Sequence, residues 1–247
     1  MGILEAATQY CEFSEYVVHC ARHILDEKNH QFVESIVKMG RMRTETVAEG
    51  TLLFRAQIGN EWRDTTLDGD DGEAVECRVR CPHNSDRMTP FADRATEGRV
   101  NGKGIPCLYT ATDAETAIYE VRPWTGSWVS VAAFVTHRDL KLVDCSKRRL
   151  RGGRQFATQQ EHLWQRINRA FSEPVSRTDD VAGYAPTQVL AEAFRHDGCD
   201  GIKYSSSRKG GVNIALFSLK TASATVIKLY RVQEMKLWYR AVTDYET

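Results

Sequence analysis

Between Glu97 and Arg122 (EGRVNGKGIPCLYTATDAETAIYEVR) a loop, a short strand, a tight turn and a helix are written back to back, and no other stretch constrains the fold as much. Gly98, Gly102 and Gly104 surround Arg99 and Asn101. Backbone N–H groups and a planar guanidinium are thus offered together, a combination suited to phosphate oxygens. The apolar run Ile105–Tyr109 predicts a buried strand opened by Pro106. Thr112 with Glu115 three residues on is a capping-box pattern and predicts a helix from Asp113. Ala114, Ala117, Ile118 and Val121 then share one helix face, with Glu120 at the edge of the stripe. Spacing alone is met equally well by a surface turn, an aromatic core residue and a solvated helix glutamate.

At 247 residues the chain suits one larger domain or a domain with an appendage. Apolar and charged contents of 42% and 27% are ordinary for a globular protein. A net charge of zero supplies no global field toward nucleic acid or an anionic membrane. No run approaches the roughly 20 apolar residues that span a bilayer, and the first residues lack a secretory pattern. Seven cysteines at irregular spacing fit reduced thiols, so the chain reads as cytoplasmic.

Tyr10, Phe13, Val17, Ala21 and Ile24 or Leu25 recur at helical spacing, which predicts a helix over 3–25 broken at Asp26–His30. A second helix carries Phe32, Ile36 and Val37 and stops near Gly40. Cys11, His19, Cys20, His23 and His30 fit no compact metal pattern, and Cys77, Cys81 and His83 lack a fourth ligand. Leu52–Ile58 predicts a strand buried on both faces, in which Arg55 is on an edge strand, paired with a protein carboxylate, or an anion clamp facing a cleft. Glu61–Glu97 reads as a long loop. Strands are predicted at Trp128–Val135, Leu140–Val143, Gly201–Ser207, Asn213–Leu219 and Thr225–Tyr230, helices at Glu161–Phe171 and Thr187–Phe194. The basic run Lys147–Arg154 reads as a solvated loop, and Gln233–Val242 as a mixed tail. Strands without regular strand–helix alternation point to an α+β fold.

Three motifs in order resemble the RES domain family, named for an Arg, a Glu and a Ser. Gly50–Ile58 (GTLLFRAQI) looks like its first strand, with Arg55 as the Arg. The stretch from Glu97 to Arg122 looks like its central motif, and Tyr184–Phe217 (YAPTQVLAEAFRHDGCDGIKYSSSRKGGVNIALF) like its C-terminal signature. The resemblance implies an ADP-ribosyltransferase-like core of two packed, mostly antiparallel or mixed β-sheets with flanking helices. An N-terminal helical extension, residues 1–48, would precede a catalytic domain over 49–247. It implies cleavage of NAD at the nicotinamide–ribose bond, with ADP-ribose passed to water or inorganic phosphate, by a toxin paired with a helix-turn-helix antitoxin or another protein. NAD would be substrate, with no cofactor or metal. Transfer to a macromolecule, or a non-catalytic nucleotide-binding or interaction module able to self-associate, are the alternatives. Carried onto this chain, Glu120, Tyr109 and Arg55 are the catalytic candidates. Arg99, Asn101, Ser206, Gln188 and Asn213 are the substrate-binding ones. Ser205 and Ser207 compete with Ser206 for the serine position. Two departures stand out: Val100 replaces a frequent aromatic, and the helical N-terminus is additional.

Overall fold

The computed structural model describes residues 3–68, 74–147, 159–173, 181–207 and 210–235. Of the basic run only Lys147 falls within them, and the tail is described to 235. Two helices open the chain, α1 (Ile3–His19) and α2 (Glu27–Arg41). The strands are β1 (Thr44–Val47), β2 (Leu52–Ile58), β3 (Glu61–Asp68), β4 (Ala74–Cys81), β5 (Leu108–Ala111), β6 (Trp128–Thr136), β7 (Leu140–Asp144), β8 (Gly201–Ser205), β9 (Val212–Leu216) and β10 (Ala222–Arg231). Between them lie α3 (Ser85–Met88), α4 (Ala114–Glu120), α5 (Gln159–Ser172) and α6 (Ala185–His196).

The class is α+β. Eight strands form one sheet in the order β1-β7-β8-β9-β5-β2-β6-β10, and β3 pairs with β4 in a separate hairpin. Within the large sheet only β7 and β8 run parallel. The β5–β2 junction rests on a single register pair, Phe54 with Ala111. It divides the ladder into two wings. Leu53, Ala132 and Phe134 from one wing and Leu108, Leu140, Leu142, Ile214 and Leu216 from the other close on Met88 of α3 as one buried cluster. The two packed sheets expected from the sequence are therefore wings of one ladder.

A second cluster holds the four long helices against the sheet. Phe13 and Val17 of α1, Ile36 of α2, Ile167 and Phe171 of α5 and Leu190 and Phe194 of α6 pack with Ile202 and Tyr204 of β8. Each fully buried side chain of this size stabilises the fold by about 1.5–3 kcal/mol. A third, smaller cluster seats α4 on β2 and β6 through Ala117, Ala56, Val129 and Val131, the apolar face read from the sequence.

Several expectations are corrected. The first helix ends at His19, and Asp26 is the N-cap of α2, its carboxylate accepting from Asn29 N at 2.8 Å. The polar run Asp26–His30 thus starts a helix, because an Asp followed by a polar first turn is what a helix N-terminus uses. Strand β2 has the expected bounds and buries Leu53 and Ala56 on opposite faces, and only its ends, Leu52 and Ile58, are half exposed. Residues 61–97 are no structureless loop. The register Trp62–Arg80, Asp64–Arg78, Thr66–Glu76 makes a hairpin whose period-2 pattern is masked by charge on one side. In the central motif β5 begins at Leu108, not at Ile105. The N-cap of α4 is Asp113, which accepts from Thr116 N at 2.8 Å and Thr116 Oγ1 at 2.7 Å, rather than Thr112.

A carboxylate and two guanidiniums around one pocket

The wings part at the β5–β2 junction, and α4 closes the gap from one side. The opening is a pocket of about 120 Å³ lined by Phe54, Arg55, Ala56, Arg99, Tyr109, Ala117, Glu120, Val121, Tyr204 and Asn213.

Glu120 ends α4, and its position is fixed from two strands. Ser206 Oγ donates to Glu120 Oε1 at 2.6 Å, and Asn213 Nδ2 donates to the same oxygen at 2.9 Å. Both donors are buried. Among the described residues no hydrogen bond reaches Oε2. Hydrogen bonds to a carboxylate are stronger than those between neutral groups. Ser206 is held in turn by its backbone N–H donating to Gly211 O at 2.7 Å. A Cβ on Gly211 would lie 2.0 Å from Thr116 Oγ1, so glycine here lets the start of β9 approach α4.

Arg55 lies in mid-β2, opposite Ala132. Nη1 donates to Tyr109 O at 3.1 Å, and Nε is buried with no partner among the described residues. Burial pulls its pKa below the ordinary arginine value. No carboxylate of the described residues lies within ion-pair distance, and an arginine this enclosed is stable only when paired. Its own wall offers half a partner. The pocket offers room for the rest.

The glycine-rich loop is braced from inside. Tyr109 Oη donates to Asn101 Oδ1 at 2.7 Å and accepts from Val100 N at 3.0 Å. Asn101 Nδ2 donates to the carbonyls of Thr96, Gly102 and Ile105. Gln188 Nε2, from α6, donates to Gly98 O at 2.8 Å and Asn101 O at 3.0 Å. Arg99 Nε donates to Glu173 O at 3.2 Å, and Arg99 and Tyr204 line the same pocket. Burial, followed by the nearby Cys107, pushes the Tyr109 phenol well above its ordinary pKa, and burial raises Tyr204 likewise. Both stay neutral at physiological pH and serve as walls and hydrogen-bonding groups, not as proton donors.

Of the sequence candidates, Arg55, Arg99, Tyr109, Glu120 and Asn213 line one pocket, and Ser206 touches it through Glu120. Asn101 and Gln188 do not line it; their amides are engaged by loop carbonyls. The three serines now separate. Ser206 holds Glu120, Ser205 is tied to Asn168 of α5, and Ser207 is exposed. Tyr204 was missed as a site residue although it stands in the C-terminal motif two residues before Ser206. Its buried alternation in β8 was the available signal.

A half-buried carboxylate and two guanidiniums thus line one cleft at the junction of two sheet wings. The chain belongs to the RES domain family, whose model matches residues 76–239. The match begins after β2, so Arg55 enters the site by geometry rather than by that alignment. No curated protein matches. Among solved structures the chain is similar to one in the crystal structure of the M. tuberculosis MbcT–MbcA toxin–antitoxin complex, at 13% identity and a TM-score of 0.48, over 80% of this chain and 93% of that one. No helix among the described residues is long and apolar enough to cross a membrane.

Proposed function

We propose that the pocket binds the nicotinamide riboside end of NAD and that the protein cleaves the nicotinamide–ribose bond. The observation that carries this is Glu120: one carboxylate oxygen clamped by Ser206 and Asn213, in a pocket shared with the half-satisfied guanidinium of Arg55.

In this reaction the C1′–N1 bond breaks and its electron pair stays on the ring nitrogen. A cationic pyridinium leaves as neutral nicotinamide, so no general acid is needed. Positive charge passes to the ribose as an oxocarbenium-like centre, which an aligned carboxylate stabilises. Water or a phosphate oxygen then bonds to C1′. With water, the surplus proton goes to solvent and ADP-ribose forms. With phosphate, ADP-ribose-1″-phosphate forms. Arg55 and Arg99 suit the diphosphate, and the Tyr109 and Tyr204 rings suit a flat neutral leaving group. A pocket of about 120 Å³ is below the roughly 300–1,000 Å³ of sites that enclose a drug-sized ligand. It takes one end of the dinucleotide and leaves the adenosine outside. Family membership supports the reading, and with it the role of a toxin neutralised by a protein partner.

The test is phosphorus NMR of the full chain with NAD, in phosphate and in phosphate-free buffer. Loss of the NAD diphosphate resonances is expected. A new phosphomonoester signal in phosphate buffer alone identifies phosphate as acceptor. NAD intact in both buffers at high enzyme concentration refutes the proposal.

A further inference from the structure

Glu120 is held by Ser206, and besides the Ser206 N–H bond to Gly211 O a second support lies one layer further back, on α5. Asn168 grips the preceding residue from two sides. Its Nδ2 donates to Ser205 Oγ at 3.1 Å, and its Oδ1 accepts from Ser205 N at 2.9 Å. Ser172, one turn on, donates its Oγ to Ser205 O at 2.6 Å. Three hydrogen bonds from one helix therefore fix N–H, side chain and carbonyl of a single residue at the end of β8. Beyond Ser205 the chain is tied by Ser206 N, which donates to Gly211 O at 2.7 Å, so the clamped Ser205 backbone on one side and that bond on the other set the direction of the Ser206 side chain. The same helix is anchored by Ile167 and Phe171, both fully buried.

We propose that Asn168 is a positioning residue for the reaction: by clamping Ser205 it aims Ser206 Oγ at Glu120 Oε1 and so orients the carboxylate. The proposal rests on Glu120 being the group that faces the ribose. Asn168 itself does not line the pocket that holds Glu120. It lines a separate polar pocket of about 170 Å³ behind Ser205, beside Ser146, Lys147 and Gln165. Truncating it enlarges an existing polar space, so the variant is expected to fold.

The experiment is a double-mutant cycle on the full chain, read as nicotinamide release. Asn168→Ala should lower kcat about 10- to 100-fold, with KM for NAD changed less than about threefold, as expected when ground-state contacts are untouched. In a Ser206→Ala background the same substitution should change kcat less than about twofold, because the link it acts through is already gone. Asn168→Asp keeps an acceptor for Ser205 N and offers Ser205 Oγ an acceptor in place of a donor, so it should recover most of the loss. A full kcat in Asn168→Ala, or an equal loss in both backgrounds, overturns the proposal. A readout independent of turnover separates this from the assigned reaction. The carboxyl carbon resonance of Glu120, identified by its absence in Glu120→Gln, should move in Asn168→Ala and in Ser206→Ala alike. If the wild-type chain leaves NAD intact yet the resonance moves, the reaction assignment fails and the positioning link stands. If the resonance stays still, the link fails whatever the activity.

Discussion

Glu120→Gln isolates charge from shape at the centre of the site. The amide oxygen can occupy the place of Oε1 and still accept from Ser206 Oγ and Asn213 Nδ2, now 2.6 and 2.9 Å away. What disappears is the negative charge. Two full charges about 4 Å apart interact by about 4 kcal/mol at an effective dielectric near 20. The substrate ring already carries positive charge, and only the part that migrates to the ribose is felt differently in the transition state. About 2–3 kcal/mol of transition-state stabilisation should therefore be lost, or about 30- to 160-fold in kcat. Hydrogen bonds to a neutral acceptor are weaker than to a charged one, but a neutral group is also easier to bury. The fold should change by about 1 kcal/mol or less. Steady-state nicotinamide release alongside a urea titration measures both. A variant within threefold of wild-type kcat would falsify the assignment of Glu120. A variant that has lost several kcal/mol of stability would show instead that the clamp is structural.

Three further substitutions probe the surrounding framework. Gly98→Ala would set a Cβ 2.6 Å from Tyr109 Oη, so the loop must move and the Tyr109–Asn101 bond must yield; a loss of about 1–3 kcal/mol in urea and a raised KM for NAD are expected, and unchanged KM refutes the loop's part in binding. Arg43, nearly fully buried, donates to Glu161 Oε1 at 2.8 Å and lies 4.7 Å from the Trp164 ring centroid, tying the segment after α2 to α5. Arg43→Ala should cost about 3–5 kcal/mol, while a double replacement of Arg43 and Glu161 by Met should recover most of it, both read from denaturant midpoints. Asp200 is held below its ordinary pKa of 3.8 first by its hydrogen bond to Arg138 and also by Lys141 N. A depressed folded pKa gives stability that is present above the unfolded value and lost as pH falls through the folded one. Melting temperature should therefore drop below about pH 4, and Asp200→Asn should flatten that acid limb; an unchanged acid limb refutes the pairing.

How far the site could be read from the sequence depended on whether a local pattern or a distant partner decides each residue. Strands β2 and β6 were legible as short apolar runs, and helices α5 and α6 because an apolar face repeats at 3.6 residues whatever it packs on. The α4 cap was not. Thr112 and Asp113 both carry a suitable oxygen, and the choice falls to Asp113 because Thr112 is drawn back to Val212 O on another strand. The hairpin of β3 and β4 was missed for a related reason. Trp62, Leu67 and Val75 are about half exposed, so it buries no continuous face, and charge obscures its alternation. In the site, residue types left Arg55 and Glu120 open and the family resemblance nominated them, but their meeting requires the β5–β2 junction, a single register pair that no local spacing encodes.

Asn101 and Gln188 show the converse. They are polar and expected to bind substrate, yet their amides brace the loop through its carbonyls instead of reaching the pocket. An unpaired buried polar atom distinguishes the two kinds of residue. Asn101 has spent both ends of its amide, on loop carbonyls and on Tyr109 of β5, whereas Arg55 keeps a buried Nε without a partner among the described residues. An unmet donor in a protein interior is destabilising by about 1–3 kcal/mol, and more for a charged group. Its persistence beside a carboxylate-lined pocket is a physical reason to expect an anion there. That inference needs only hydrogen-bond geometry, and it applies to Arg55, which stands before the residues matched by the family model.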